Sequence, residues 1–502
     1  MYFQTTGHNE TTDVVVVGTG PGGLAAVGSA VEHGAKVVAI EAHKDIGGNG
    51  TWSTGWVAFV NSQLQRDNGV KDSVDLFMKY CEKLIDESKG VYGLNWDPAF
   101  GTLYAQESSQ LYDILVQRGV KFSRLIKRPV QTSVPRLAAV ESTDQFARAF
   151  EPDFAGPNVR TYVNSTAIRL LTKDSRVVGV RVQQKQGDSE LGFNVFAKKA
   201  VILATGGYQA NSALRQRYGP TVHDAWYPGL PTCRGDGHLL GQAIGGDLIN
   251  MTMIPPIIAV ASALTDKAIA VNSHGLRFHD EAGPYQYRVE MLKKQPAQVA
   301  HYIFDNATAV DKKNYVNQLG GKVFQAQSLE ELAALIEVPA GELAHTIRKW
   351  NQFVTSGEKM EPATKRVDFT PRPISEAPFF ASRMIPAVSL TCGGFRTTLS
   401  MQVIDIFGQP MPGLFAVGDV AGGLTLTAEM GGTHLGGGFV HGWRAGKAAA
   451  TGIRTSRGGR AKTDEGEGVF GHSVPQRNVL ELKFPIITVA TAEQAAGPRS
   501  RL

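Results

Sequence analysis

Cysteine is scarce: Cys81, Cys233 and Cys392 are three among 502 residues, far apart and without a C-x-x-C pair. A disulfide framework and a thiolate zinc site are thereby excluded as organising principles, and a reducing compartment is the expected home. Charge of one sign is lacking as well. Lys+Arg 51 against Asp+Glu 46 leaves a net charge of +5, with only 19% charged residues, too little field to attract a polyanion such as nucleic acid. Long apolar runs are missing. The longest, about Met253 to Leu264, contains two prolines and falls short of the roughly 18 residues of a spanning helix. No basic-then-apolar leader opens the chain, so Met1 to Gln4 is set aside as a natural start or a tag remnant. Internal repeats of the solenoid or propeller kind are absent.

Glycine is what the chain has in excess: 56 of 502 residues, where about 7% is usual. That excess points to close backbone approaches of the kind cofactor sites need. Asp13 to Val17 is a short apolar run, the pattern of a strand buried on both faces of a parallel sheet. It leads into Gly18-Thr19-Gly20-Pro21-Gly22-Gly23, a small-residue helix to Glu32, a stop at Gly34, and a second strand to Ile40 ending at Glu41. Glycines 18, 20 and 23 match G-x-G-x-x-G: one for the turn, one for approach to a pyrophosphate, one for helix–strand packing. The pyrophosphate would sit on the helix N-terminus, and Glu41, 18 residues past Gly23, can accept both ribose hydroxyls. The competing reading is a glycine-rich turn with no ligand.

A second cluster, Gly47-Gly48-Asn49-Gly50 with Thr51, Ser53, Thr54 and Gly55, supplies backbone donors beside the same strand end and suits a flavin's pyrophosphate and ring edge. The strand Gly413 to Val417 ends in Gly418-Asp419, where a carboxylate can hold a ribityl hydroxyl. Between these, Val70 to Gly119 reads as mostly helical. Val178 to Val182 and Phe193 to Phe196 read as antiparallel strands that close on Ala200 to Gly207. The texture changes near Met251 to mixed strands and amphipathic helices around Leu329 to Leu335 and Gly341 to Phe353, then returns to the nucleotide-fold pattern near Thr391, with a small-residue helix to about Gly452. We therefore expect an α/β protein: a Rossmann-type FAD-binding domain in two parts, 1–250 and 391–456, interrupted by an α+β capping domain at 251–390 that shapes the substrate pocket, with a C-terminal tail at 457–502.

From Asp13 to about Gly452 the chain resembles the FAD-dependent fumarate reductase/succinate dehydrogenase flavoprotein superfamily, which includes 3-ketosteroid dehydrogenases and tricarballylate dehydrogenase. Eight motifs carry the resemblance in order: Gly18 to Gly23, Glu41, Gly47 to Asn49, Ala204 to Gly207, Gly235-Asp236-Gly237, Val271 to Glu281, Thr391 to Gly394, and Pro412 to Asp419. It implies FAD contacts from the glycines at 18, 20, 22 and 23, Glu41, Gly47 to Thr51, Ala167, Ala204, Thr205, Gly206, Asp236, Gly418, Asp419, Leu435 and Gly436. Succinate dehydrogenases carry a flavin-bonding histidine where this chain has Asn49, so the FAD is expected to be non-covalent. Three cations of the fumarate reductases are replaced, by Leu390, Glu429 and Tyr285. Without them a C4-dicarboxylate is a poor substrate.

Tyr285, four residues after Glu281, resembles the tyrosine of 3-ketosteroid dehydrogenases at that offset. Desaturation beside a carbonyl needs a hydride acceptor, a base for the Cα proton and donors that polarise the carbonyl. Tyr285 can serve as base or as relay to one. Glu429 and His434, in the turn Ala428 to Gly438, are the other titratable groups expected near the ring. The second steroid-dehydrogenase tyrosine of that turn is absent, with Met430 nearest. Each candidate has a structural reading as well: Tyr285 as packing under the cap, Glu429 as an ion pair with Arg444 or a helix cap, His434 as a backbone hydrogen-bonder. Arg288 and Tyr287 could clamp a carboxylate or face solvent. Arg277 is expected to link the cap to Glu281, and Cys392 to pack.

The expected function is FAD-dependent dehydrogenation of a C–C bond next to a carbonyl or carboxyl group. One alternative is an enoate or carboxylate reductase with Arg288 as clamp; others are a flavin-dependent isomerase or cyclase without net redox change, and a flavin binder without catalysis. The residues name no electron acceptor, no metal and no macromolecular partner. The expected location is cytoplasmic, or peroxisomal in a eukaryote, because Ser500-Arg501-Leu502 is a variant of the Ser-Lys-Leu address.

Overall fold

Val14, Val15 and Val16 have no exposed surface because they lie mid-sheet. In a computed structural model, the strand Glu10–Val17 (β1) pairs in parallel with Val37–Ile40 (β2) on one side, Val14 opposite Val37. On the other side it pairs in parallel with Ser189–Leu203, Val14 opposite Ala200. The structure describes residues 9–92, 94–126, 134–187, 189–259, 264, 267–311, 323–367, 371–425 and 427–452. The tail 457–502 and its Ser500-Arg501-Leu502 end lie outside them.

The main sheet runs Gln402–Ile404, Pro410–Ala416, Ser189–Leu203, β1, β2, Val159–Tyr162. Its pairs are parallel except at the Gln402–Ile404 edge. Where the sequence suggests separate strands at 193–196 and 200–203, the structure has one 15-residue strand. Besides β1, that strand serves two further partners. It pairs antiparallel with Arg176–Gln186 in its first half and parallel with Pro410–Ala416 in its last turns, so its alternating and continuous apolar halves belong to one element.

Two helices pack on this sheet, Pro21–Glu32 (α1) and Thr433–Thr451, and they meet through small residues. A Cβ on Gly442 would stand 2.1 Å from the Gly22 carbonyl oxygen, and one on Gly446 would stand 2.4 Å from that of Ala26. Only glycine permits this approach. The predicted helical stretch is a pair, Val74–Tyr92 and Pro98–Gln117, the second started by Asp97, whose side chain accepts from the Ala99 N–H at 2.9 Å.

Residues 269–383 build a separate four-stranded antiparallel sheet, ordered Ile269–Asn272, Ala300–Asp305, Phe379–Arg383, Val323–Ala326. The helices Leu329–Leu335 and Ala340–Ser356 fill one core with Leu332, Ile347, Trp350 and Phe353. The helix Tyr285–Lys293 contributes Val289 and Leu292 to the other. Glu281, wholly buried, ties this region together: Arg277 at 2.7 Å and Arg366 at 3.0 Å both pair with it, and the two guanidinium groups lie over the Trp350 ring at 4.9 Å each. Among the described residues no helix is long and apolar enough to cross a membrane, and no group of three or more His, Cys, Asp or Glu is placed to hold a metal.

Candidate active site

A cavity of about 570 Å³ opens at the carboxyl ends of the parallel strands, with Val17, Ile40, Ala204 and Val417 on its wall. This is where open α/β sheets place ligands. Gly18, at φ +94°, turns the chain out of β1; a Cβ there would be 2.3 Å from the Ala204 carbonyl oxygen. Gly23 packs helix on strand, its hypothetical Cβ 1.9 Å from the Gly18 carbonyl oxygen. Gly20 differs, since a Cβ would meet no protein atom within 4 Å, although the residue lines the cavity at the start of α1. Space kept clear beside helical N–H groups suits a pyrophosphate.

Glu41, 5% exposed, accepts from the Thr19 N–H at 2.8 Å and hydroxyl at 2.6 Å and from the His43 N–H at 2.7 Å. Its carboxylate is thereby aimed before any ribose arrives. Gly48, Asn49, Gly50, Ala167, Ala204, Thr205, Gly206, Asp236, Gly418, Asp419, Leu435 and the motif's Gly22 also line the cavity. Buried Thr205 Oγ1 has no hydrogen-bond partner among the described residues, as expected for a group reserved for a ligand. The donor set and the cleared backbone fit FAD. Four expected contacts stand behind the wall instead: Gly23, Gly47, Thr51 and Gly436. Thr51 Oγ1 donates to the Gly48 carbonyl at 2.9 Å and shapes the glycine loop, and a Cβ on Gly436 would be 2.2 Å from the Tyr104 hydroxyl, so Gly436 lets the helix Thr433–Thr451 approach Tyr104.

Asn49 does more than replace a histidine. Its Nδ2 donates to the Tyr227 hydroxyl at 2.6 Å and to Cys233 Sγ at 3.1 Å, and its Oδ1 accepts from the Leu230 N–H at 2.9 Å. The loop 226–233 is thus folded over the cavity and adds Trp226, Tyr227 and Cys233 to its wall. Sequence reasoning missed all three, and the only signal was their position just before Gly235-Asp236-Gly237. Burial pushes the Cys233 thiol up to about 12, so it stays protonated and packs rather than attacks.

At the far end Tyr285 and His434 both line the cavity. Tyr285 opens its helix, and Glu429 Oε1 accepts from the Tyr285 N–H, so Glu429 caps that helix from a distant part of the chain. Arg444, its suggested partner, pairs with Glu107 at 2.5 Å. His434 Nδ1 is 3.1 Å from Asp419 Oδ1, and its buried Nε2 has no partner among the described residues. Arg288 is not on the wall. It is fully buried behind Tyr285, with its guanidinium carbon 4.3 Å from the centre of the Tyr285 ring. Among the described residues lining the cavity there is no Lys or Arg, whereas Trp52, Trp56, Trp226, Ile257 and Leu390 give it an apolar side.

The profile of a family described as FAD binding domain matches residues 13–435. A probable fumarate reductase from Shewanella frigidimarina is 29% identical over 467 residues, covering 88% of this chain and 76% of that protein. Among solved structures, the open conformation of a flavocytochrome c3 fumarate reductase superposes with a TM-score of 0.72 at 27% identity, covering 89% of this chain and 79% of that one. A 3-ketosteroid-Δ4-(5α)-dehydrogenase from Rhodococcus jostii RHA1, in complex with 4-androstene-3,17-dione, superposes with a TM-score of 0.61 at 25% identity, covering 89% and 98%.

Proposed function

Because the chain belongs to the FAD binding domain family, we propose that it desaturates a C–C bond beside the carbonyl of an uncharged, largely apolar substrate. More broadly, it is an FAD-dependent oxidoreductase of the fumarate reductase and ketosteroid dehydrogenase type, acting on C–C bonds. The observation that carries the narrower reading is the cavity's lining: tryptophans, Ile257 and Leu390, without a Lys or Arg among the described residues. A dicarboxylate would have to shed its water there with no charge to replace it.

FAD, when bound, supplies the acceptor for the hydride leaving Cβ. The protein's own groups manage the proton and the oxygen. Tyr285 is assigned to the Cα proton, with its backbone held by Glu429 and its ring backed by Arg288. His434 is fixed by Asp419 in the manner of a carboxylate-oriented general base, with Nε2 left for the substrate or for the next proton carrier. The cap over the pocket is assigned to residues 251–390.

Anaerobic mixing of the yellow protein with saturated cyclic ketones, steroids and carboxylic acids tests this directly. Bleaching of the flavin band by ketones and not by succinate is the expected result. Bleaching by the dicarboxylate alone would sink the reading. A reductase is the second reading, favoured by the similarity to a probable fumarate reductase. Dithionite-reduced protein re-oxidised by an enone or enoate, with no bleaching in the forward direction, would establish it.

A further inference from the structure

Beside the turn that carries His434 lies a second, far smaller cavity of about 20 Å³. It shares Asp419 and His434 with the main cavity, and Thr425, Thr433 and His441 bring polar side chains to a wall that also holds Cys392, Ala421 and Leu424. A polar cavity above roughly 10–15 Å³ with two to four hydrogen-bonding groups is suited to one ordered water. Two of the lining residues are histidines, each with a buried imidazole nitrogen. His441 is 3% exposed, and its Nε2, like that of His434, has no hydrogen-bond partner among the described residues. Thr433 Oγ1 donates to the Met430 carbonyl at 2.5 Å and stands 3.3 Å from Thr425 Oγ1, so the hydroxyls offer acceptors.

Burial, with the Arg444 charge adding to it, brings His441 down to about 4, so its imidazole is neutral near pH 7. A neutral imidazole has one donor and one acceptor nitrogen and passes a proton on without storing it. One helical turn further on, Arg444 pairs with Glu107, and both side chains are partly exposed.

We propose that the small cavity is a water site through which His434 and His441 pass a proton between the active-site cavity and the Glu107–Arg444 surface. The proposal rests on the dehydrogenase reading, in which the Cα proton must leave a cavity filled by substrate. Only that proton moves along the path. The Cα proton first forms a His434 N–H; that bond breaks as a water O–H forms, another O–H of that water breaks as a His441 N–H forms, and the N–H on the other nitrogen of His441 breaks as a solvent O–H forms beside Glu107 and Arg444, so His441 ends neutral and no electrons are transferred. His441 acts through His434, so it is a positioning residue and not a catalytic one.

Two measurements test the site. A crystal structure of the FAD-loaded protein should place a water within hydrogen-bonding distance of both His434 and His441; a cavity that is dry or filled by cofactor overturns the proposal and needs no substrate to do so. His441→Phe keeps a ring against Phe100, which packs edge-on at 6.1 Å. With flavin content and melting temperature as controls, this variant should bleach about tenfold or more slowly, with a larger solvent isotope effect. An unchanged rate and isotope effect would overturn the relay and leave the dehydrogenase reading standing. If no ketone bleaches even the wild type, the dehydrogenase reading fails on its own. The two proteins are then compared by proton uptake during photoreduction of the bound flavin, where equal rates overturn the relay.

Discussion

At the scale of single residues, Tyr285 and Glu281 separate two kinds of importance. Tyr285→Phe removes one hydroxyl and leaves the ring under Arg288, so the variant should keep its FAD and melt normally while turnover falls by about a hundredfold or more. Full activity in that variant would remove Tyr285 from the mechanism. Glu281 is structural by contrast. Burial by itself would raise its carboxyl, but Arg277 and Arg366 hold it well below the usual carboxylate range. Its contribution is therefore complete above the unfolded carboxylate value near 4.3 and is lost only as pH falls through the folded one. Glu281→Gln would take the carboxylate from buried Arg366, while Arg277 keeps Glu361 at 3.1 Å, and should cost about 3–5 kcal/mol in denaturant unfolding at pH 7. A loss below about 1 kcal/mol would mean that water reaches the pair. The offset of Tyr285 from Glu281 was legible in the sequence. The partners of Asn49 were not, because Tyr227 and Cys233 lie 178 and 184 residues away and only the folded loop joins them.

At the scale of elements, the contact between α1 and Thr433–Thr451 governs the cofactor site. Gly442→Ala would drive a methyl into the Gly22 carbonyl, which has no room to retreat because Gly22 is itself packed against Val417 and Gly438. Displacing α1 moves Gly20 and the pyrophosphate position with it. We expect a destabilisation of about 1–3 kcal/mol together with reduced flavin content after purification. Gly34→Ala is the comparison. That glycine has φ +78° and open space around its Cβ position, so the variant should lose some stability from backbone strain and retain its flavin. Equal flavin loss in both variants would refute the packing argument. The pattern of small residues announced these helices and their ends closely. It did not announce that Ser189–Leu203 is one strand with two kinds of partner, because pairing direction leaves no local mark on side-chain alternation.

At the scale of the whole molecule, four histidines set its response to acid. Burial, the leading cause in each, brings His238, His279, His301 and His441 down to about 4. Each is neutral in the fold and would gain a proton on unfolding anywhere below about 6.5. Stability is therefore present in full above that value and is lost as pH falls toward 4, by up to about 3 kcal/mol for each histidine. Melting of the FAD-loaded protein at pH 7.5, 6 and 5 should show a steep fall that begins near 6.5, before any carboxylate titrates. A flat profile down to pH 5 would mean that these imidazoles are solvated in the fold.

The sequence by itself determined the FAD-binding motif, the buried parallel strands around it and the family, because a G-x-G-x-x-G turn and a continuous apolar strand are properties of neighbouring residues. It also singled out Tyr285 and His434 from their places in local motifs. Only the tertiary structure decided that Glu429 caps the helix of Tyr285, that Arg288 stands behind that ring and off the cavity wall, and that the wall carries no Lys or Arg among its described residues. The reason is physical: electrostatic environment and burial depend on side chains that converge from segments hundreds of residues apart, and no local pattern encodes that convergence.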